Sequence, residues 1–144
     1  MKNKQALQLG LWLGWPLALM GAIFLVWSLT GNEYRAGARL YEIHCGNCHM
    51  EAGQGLGALI PPLAGADYVQ NHGADMACLI VNGIAVPMEV NGQIYTQPMP
   101  GNATLTPRDI AAILNFIRNA WGNETEQVLR PQDVQAALES CGAR

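Results

Sequence analysis

Beyond Lys4 the sequence contains no lysine, and charge of either sign is scarce along the whole chain. Charged residues make up 13% of the 144, with 8 basic residues against 11 acidic ones. Removing Lys2 and Lys4 leaves 6 arginines against the same 11 acids, a net charge of −5. This balance excludes nucleic acid as a partner, because proteins that bind nucleic acid need a basic surface. It also excludes a basic docking ring, so a partner steered by charge has to present a positive patch.

The chain also lacks internal repeats, low-complexity segments and any long linker. The sequence therefore predicts one domain over residues 31–144, which is an ordinary length for a single domain.

Between Lys4 and Glu33 there is no charged residue at all. A helix from Leu7 to Leu29 rises about 1.5 Å per residue and spans roughly 35 Å, enough for a hydrocarbon core of about 30 Å. Residues 1–30 are therefore predicted to form an uncleaved transmembrane anchor. The alternative is a cleaved signal peptide, whose apolar region is usually only about 7–15 residues long. Basic residues at the start place the N-terminus in the cytoplasm and the domain on the outer side of the cytoplasmic membrane, facing the periplasm or the cell exterior.

Cysteines are few, and two of the four stand three residues apart in Cys45-Gly46-Asn47-Cys48-His49. This spacing is the attachment site of a c-type haem: two sulfurs reach the two vinyl groups of one porphyrin, and the histidine becomes the proximal iron ligand. A zinc knuckle would need a second ligand pair, whereas Cys78 and Cys141 stand alone. A redox dithiol would need a βαβ context, which the sequence does not show.

The remaining pattern is helical. Ala36, Leu40 and Ile43 recur at helical spacing and predict a helix over 33–44 that delivers Cys45. A second, short helix is expected over 75–82. Asn91-Gly92 suits the positive φ angles of a tight hairpin at 90–94.

The clearest helix begins at residue 107. Thr106 is its predicted N-cap, Pro107 occupies the first helical position and Asp109 completes a capping box. Its buried stripe is expected to run to Trp121, with Gly122 ending the helix. An extra C-terminal helix, in an extension from about residue 123, starts at Pro131.

These features resemble the class I c-type cytochromes, specifically the membrane-anchored kind with a single haem. The resemblance covers about residues 34–122. It rests on Gly37 and Tyr41, the Cys45–His49 motif, Pro61-Pro62-Leu63-Ala64-Gly65, Met99-Pro100 and Ile113-Leu114-Asn115-Phe116-Ile117. It implies an all-α, class I cytochrome c fold, to which this chain adds a transmembrane helix, a hairpin insert and the C-terminal helix.

The resemblance also implies the haem ligands and their support. Met99, between two prolines, matches the distal iron ligand, with Met88 as second choice. Pro61 matches the proline whose carbonyl accepts a hydrogen bond from His49, which would fix the tautomer of that histidine. A rigid loop proline is the alternative, because Pro62 makes the register ambiguous.

Histidine ligation on the distal side stays open as an alternative. His44 lies close to Cys45 in the sequence, which disfavours it, and His72 reads as a solvated loop residue.

Cys78 and Cys141 remain after haem attachment. An oxidising compartment favours a disulfide between them. Two buried free thiols are the alternative.

Histidine and methionine ligation leaves no open iron site, so the expected function is electron transfer without catalysis or a small-molecule substrate. The resemblance implies a quinol-oxidising complex as donor and a terminal oxidase or reductase as acceptor. One alternative is an integral haem subunit of a larger respiratory or photosynthetic membrane complex. The other is a haem sensor or peroxidase, which requires Met99 to be absent from the iron.

Overall fold

The computed structural model describes the backbone of residues 3–142 and the side chains of 19–25 and 31–142. The chain forms two compact units, Met1–Glu33 and Tyr34–Arg144. Helix α1 is assigned to Asn3–His44. No helix within the described side chains is long and apolar enough to cross a membrane. The predicted span over 7–29 falls mostly on positions whose side chains lie outside that described part.

The second unit is helical apart from one small sheet, as the sequence predicts. A 3-10 turn covers Gly73–Asp75. The elements after α1 are α2 (Gly46–His49), α3 (Asp67–His72), α4 (Met76–Asn82), β1 (Met88–Val90), β2 (Gln93–Tyr95), α5 (Pro107–Ile117) and α6 (Pro131–Ser140). The short helices α2 and α3 were not predicted, because one or two turns leave no periodic pattern in the sequence.

Helix α5 begins as the sequence predicts. The Thr106 side chain accepts a hydrogen bond from the Asp109 N–H at 3.2 Å, and the Asp109 carboxylate accepts from the Thr106 N–H at 3.1 Å. The helix ends earlier than expected, at Ile117. Trp121 was expected to extend its buried stripe, and this prediction is wrong, because Trp121 has a φ of 55° and leaves the helix.

Helices α1 and α5 cross at Gly37. A Cβ atom on Gly37 would lie 2.9 Å from both the Ala112 carbonyl carbon and the Phe116 Cβ. The contact therefore requires a residue without a side chain. This crossing also corrects the stripe expected on α1: Ile43 is 65% exposed, whereas Tyr41 is buried.

An aromatic cluster surrounds this crossing. Neighbouring ring centroids are 5.0–5.5 Å apart, in tilted or edge-on arrangements that aromatic pairs favour. Its members are Tyr34, Tyr41, Phe116 and Trp121. The cluster explains why Trp121 turns back from the end of α5.

The predicted hairpin is confirmed. Strands β1 and β2 pair antiparallel, with Met88 opposite Tyr95, and Asn91 and Gly92 have φ angles of 52° and 76°. The hairpin tip is bonded to α3, because Asn91 and Asp67 each accept the other's backbone N–H at 2.9 Å.

Helix α6 lies against the domain through buried Val134, Ala137 and Leu138. A disulfide joins Cys78 in α4 to Cys141 at the end of α6, with Cα atoms 6.3 Å apart. The C-terminal extension is therefore linked covalently to α4.

Candidate functional site

The Cys45–His49 segment follows the end of α1 directly and contains α2. Cys45 is the N-cap of α2, and its carbonyl accepts the N–H groups of Cys48 at 3.1 Å and His49 at 2.9 Å. This single helical turn brings all three side chains to the lining of one cavity. Neither cysteine takes part in a disulfide.

The thiol of Cys45 is held neutral. Burial, with a smaller contribution from neighbouring Cys48, raises the pKa of Cys45 to about 11. Metal binding by cysteine requires the thiolate. Among the described residues, no group of three or more histidine, cysteine, aspartate or glutamate side chains could hold a metal ion. The absence of such a group from the described part of the chain disfavours the zinc alternative.

His49 is oriented by a backbone carbonyl. It is 8% exposed, and its Nδ1 lies 3.1 Å from the Pro61 oxygen. A carbonyl only accepts, so Nδ1 donates, and Nε2 is left with the lone pair that an iron ligand needs. Burial lowers the pKa of His49, although the bond to Pro61 opposes that shift. The structure thus assigns the contact to Pro61 rather than Pro62.

A glycine loop fixes the position of the Pro61 carbonyl. Gly55 has a φ of 66°, and a Cβ there would lie 2.7 Å from the Pro61 carbonyl carbon. The Gly53 oxygen accepts the N–H groups of Leu63 at 2.7 Å and Ala64 at 2.9 Å. Backbone packs directly on backbone here, so the loop has little room to shift.

Asn123 fastens the same loop to the domain, and sequence reasoning missed it. It is 1% exposed, and its Nδ2 donates to the oxygens of Leu63 at 2.8 Å and Ile117 at 2.7 Å. Its Oδ1 accepts the Gly65 N–H at 2.9 Å. An asparagine in a loop gives no sequence signal for such a role, because most of its partners lie far away in the chain.

Met99 lies in a backbone bridge to Ile84. The Met99 N–H donates to the Ile84 oxygen at 2.9 Å, and the Ile84 N–H donates to the Met99 oxygen at 2.8 Å. Met99 is half-buried and lines the same cavity as His49. Met88, on β1, and buried Met76, on α4, also line it. The structure therefore brings three methionines to the cavity.

The other histidines occupy different positions. His44 lines the cavity but is exposed, and its Nδ1 lies 3.4 Å from the Nδ2 of Asn102. His72 is at the end of α3 rather than in a loop, and it stacks on Tyr68 with ring centroids 3.7 Å apart. His72 is not part of the cavity lining.

The cavity measures about 310 Å³ and is predominantly apolar. No aspartate, glutamate, lysine or arginine is found among its lining residues. The residues present fit a haem: two thiols at attachment spacing, a histidine with a fixed tautomer, methionine thioethers and apolar walls. Together the fold and this cavity define a c-type haem domain.

Comparisons with known proteins agree with this assignment. The family model for cytochrome c matches residues 34–121. The chain is 36% identical over 91 residues to cytochrome c-552 of Thermus thermophilus, covering 60% of this chain and 69% of that protein. It is 32% identical over 115 residues to the cytochrome c subunit of a quinone alcohol dehydrogenase from Gluconobacter oxydans. The cytochrome c subunit of gluconate 2-dehydrogenase from Pantoea cypripedii is 31% identical over 111 residues.

The chain belongs to the cytochrome c family. Membership of this family implies one covalently bound haem c. The similarity covers 78% and 72% of this chain for the two dehydrogenase subunits, but only 24% of the length of each of those proteins.

Proposed function

We propose that this protein is a membrane-anchored, single-haem electron carrier in which Cys45 and Cys48 form the thioethers, His49 is the proximal ligand and Met99 the distal ligand. The observation that carries the proposal is the shared cavity. His49, fixed by Pro61, and Met99, fixed by Ile84, line the same apolar space. The bound haem supplies a one-electron iron couple, and methionine–histidine ligation raises its potential.

The chain's own residues set the environment of that couple. The described lining is predominantly apolar and includes no aspartate, glutamate, lysine or arginine. An apolar surrounding disfavours the more highly charged oxidised iron, which also raises the potential. The described structure therefore supports a carrier that accepts electrons readily and keeps both axial positions filled.

The exposed part of the lining suggests how partners approach. Leu59, Val86, Pro98 and Pro100 are exposed, and none of them carries a charge. Redox encounters are brief and usually bury little surface. We propose short apolar contacts with a quinol-oxidising complex as donor and a terminal oxidase or reductase as acceptor.

The distal ligand is tested by a matched pair of variants. Met99→Leu removes the proposed ligand, whereas Met88→Leu removes a second methionine from the same cavity. We expect Met99→Leu to lower the midpoint potential by on the order of 0.1 V, a fraction of the range of about 0.8 V that axial ligands span. Met88→Leu should leave it almost unchanged. The opposite pattern would assign the ligand to Met88.

We propose that residues 1–30 anchor the haem domain on the outer face of the cytoplasmic membrane. Support comes from the uncharged stretch between Lys4 and Glu33 and from its described apolar side chains. These side chains are 61–68% exposed: Leu19, Met20, Ile23, Phe24 and Leu25. An anchor would confine the carrier near membrane-bound partners and raise its effective concentration there.

Membrane attachment is tested by washing membranes with alkaline carbonate, which releases peripheral proteins. The anchored protein should stay in the pellet with its N-terminus intact. A C-terminal alkaline phosphatase fusion should be active, since that enzyme needs an oxidising compartment. A soluble protein that begins after residue 30 would instead identify a cleaved signal peptide.

A haem subunit of a larger complex is the second candidate function. Its support is the similarity to cytochrome c subunits of two dehydrogenases. The two functions differ in the size of the protein extracted from native membranes with mild detergent. A free carrier migrates as a single chain in its micelle, whereas a subunit migrates with a dehydrogenase or oxidase and its activity.

A further inference from the structure

We infer that the Cys78–Cys141 disulfide is a positioning device for Met99: it holds α4, and the end of α4 holds the backbone that carries Met99. The inference rests on the proposed function, because it takes Met99 as the distal ligand. The observations behind it are contacts within this chain.

The Met99 segment is bonded along the end of α4. Met99 exchanges two backbone hydrogen bonds with Ile84, which lies two residues beyond the end of the helix. Three residues later, the Asn102 N–H donates to the Ile80 oxygen at 2.7 Å. The segment is thus attached at both of its ends to the residues that close α4.

Two glycines make this attachment tight. A Cβ on Gly83 would lie 2.6 Å from the Gly101 nitrogen, and a Cβ on Gly101 would lie 2.7 Å from the Asn82 carbonyl carbon. Backbone therefore meets backbone, with no side chain between them that could adjust. A shift of the end of α4 is passed directly to Met99, because closely packed groups transmit displacement.

Helix α4 has little stability of its own. It contains seven residues, far fewer than the roughly 12–15 below which an isolated helix is marginal in water. Three of its seven residues are buried in the domain: Met76, Ala77 and Val81. The disulfide at Cys78 adds a covalent link in the middle of this short helix.

The segment that leads into α6 is bonded to α5 and to Arg118, the residue that follows α5. The Asn115 side chain bonds both the N–H and the carbonyl oxygen of Leu129, each at 2.8 Å. Buried Arg118 donates from Nη1 to the Gln127 oxygen at 3.0 Å. Because α5 also contributes residues to the cavity lining, the disulfide connects one wall of the haem site through α6 and α4 to Met99.

The test uses the full-length, haem-loaded protein and the Cys78→Ser/Cys141→Ser double variant, reduced with ascorbate at a temperature where both are folded. The first measurement is the rate of carbon monoxide binding. The second is hydrogen exchange of the Ile84 and Met99 amides. We expect both rates to rise at least tenfold in the double variant.

Two further variants separate positioning from general stability. Gly101→Ala keeps the disulfide but displaces the segment from α4, and it should also speed carbon monoxide binding. Gly37→Ala destabilises the α1–α5 crossing away from α4, and it should not. Unchanged carbon monoxide binding and amide exchange in the double-serine protein would overturn the inference. So would an equal acceleration in Gly37→Ala, which would indicate a loss of stability alone.

The wild-type protein distinguishes this failure from failure of the proposed function. Prompt carbon monoxide binding by the wild type would contradict Met99 ligation itself. The exchange of the two bridge amides would still decide whether the disulfide holds that backbone.

Discussion

Replacing Asn123 should destabilise the haem domain more than any other single amide side chain in its C-terminal half. Asn123→Ala removes three hydrogen bonds of 2.7–2.9 Å at a position that is 1% exposed. The groups left without their partner are the Gly65 N–H and the oxygens of Leu63 and Ile117. Each such loss costs on the order of 1 kcal/mol or more, giving about 3 kcal/mol in total. For a domain of roughly 100 residues this corresponds to a fall in Tm of about 12 °C or more.

The assay is thermal unfolding followed by far-ultraviolet circular dichroism. Asn119→Ala is the matched control, because Asn119 is exposed and makes longer bonds, 3.0 Å to the Asn115 oxygen and 3.4 Å from the Thr125 N–H. It should cost less than about 1 kcal/mol. Asn123→Asp should be at least as harmful as alanine, since a carboxylate cannot donate to two carbonyls. An Asn123→Ala protein that melts within a few degrees of wild type would refute this reasoning.

Three other predictions concern the packing, the disulfide and a helix cap. Gly37→Ala should cost about 1–3 kcal/mol by overpacking, whereas Gly31→Ala, with open space around it, should not lower Tm. Serine at both ends of the α4–α6 disulfide, whose sequence separation is 63, should remove about 4 kcal/mol in a denaturant titration. Equal denaturation midpoints for the double-serine variant and the wild type would contradict this stabilisation by the disulfide. Hydrogen bonds from the Thr106 side chain and backbone lower the pKa of Asp109 below 3.8, so its stabilisation is present above that pH and lost as pH falls through the lowered pKa. Asp109→Asn should therefore be less stable than wild type at pH 7, and the difference in stability should shrink as the pH falls below 3.8. A difference that does not change with pH would rule out this linkage.

Local signals explain what could be predicted from the sequence. The Cys45–His49 motif, the Thr106 cap and the Asn91-Gly92 turn each depend on residues within a few positions of one another. Only Cys78 and Cys141 remain after haem attachment, so only one intramolecular pairing was possible. The structure contains that disulfide.

Features made by distant segments gave no such signal. The backbone bridge between Ile84 and Met99 has no side-chain signature, and neither does the contact between Gly83 and Gly101. The reversal at Trp121 depends on an aromatic cluster assembled from α1 and α5. Periodicity within one helix did not show which face of α1 meets α5. The crossing itself was open to prediction only through the family resemblance, in which Gly37 and Phe116 match the glycine and the aromatic residue where the first and last helices meet.

The most direct test of the account is carbon monoxide binding to the reduced, haem-loaded wild-type protein, followed by absorbance. Filled axial positions on both sides, His49 and Met99, predict no spectral change over minutes. A prompt shift would show an open or labile iron site, and it would contradict the electron-carrier account in favour of a sensor or peroxidase.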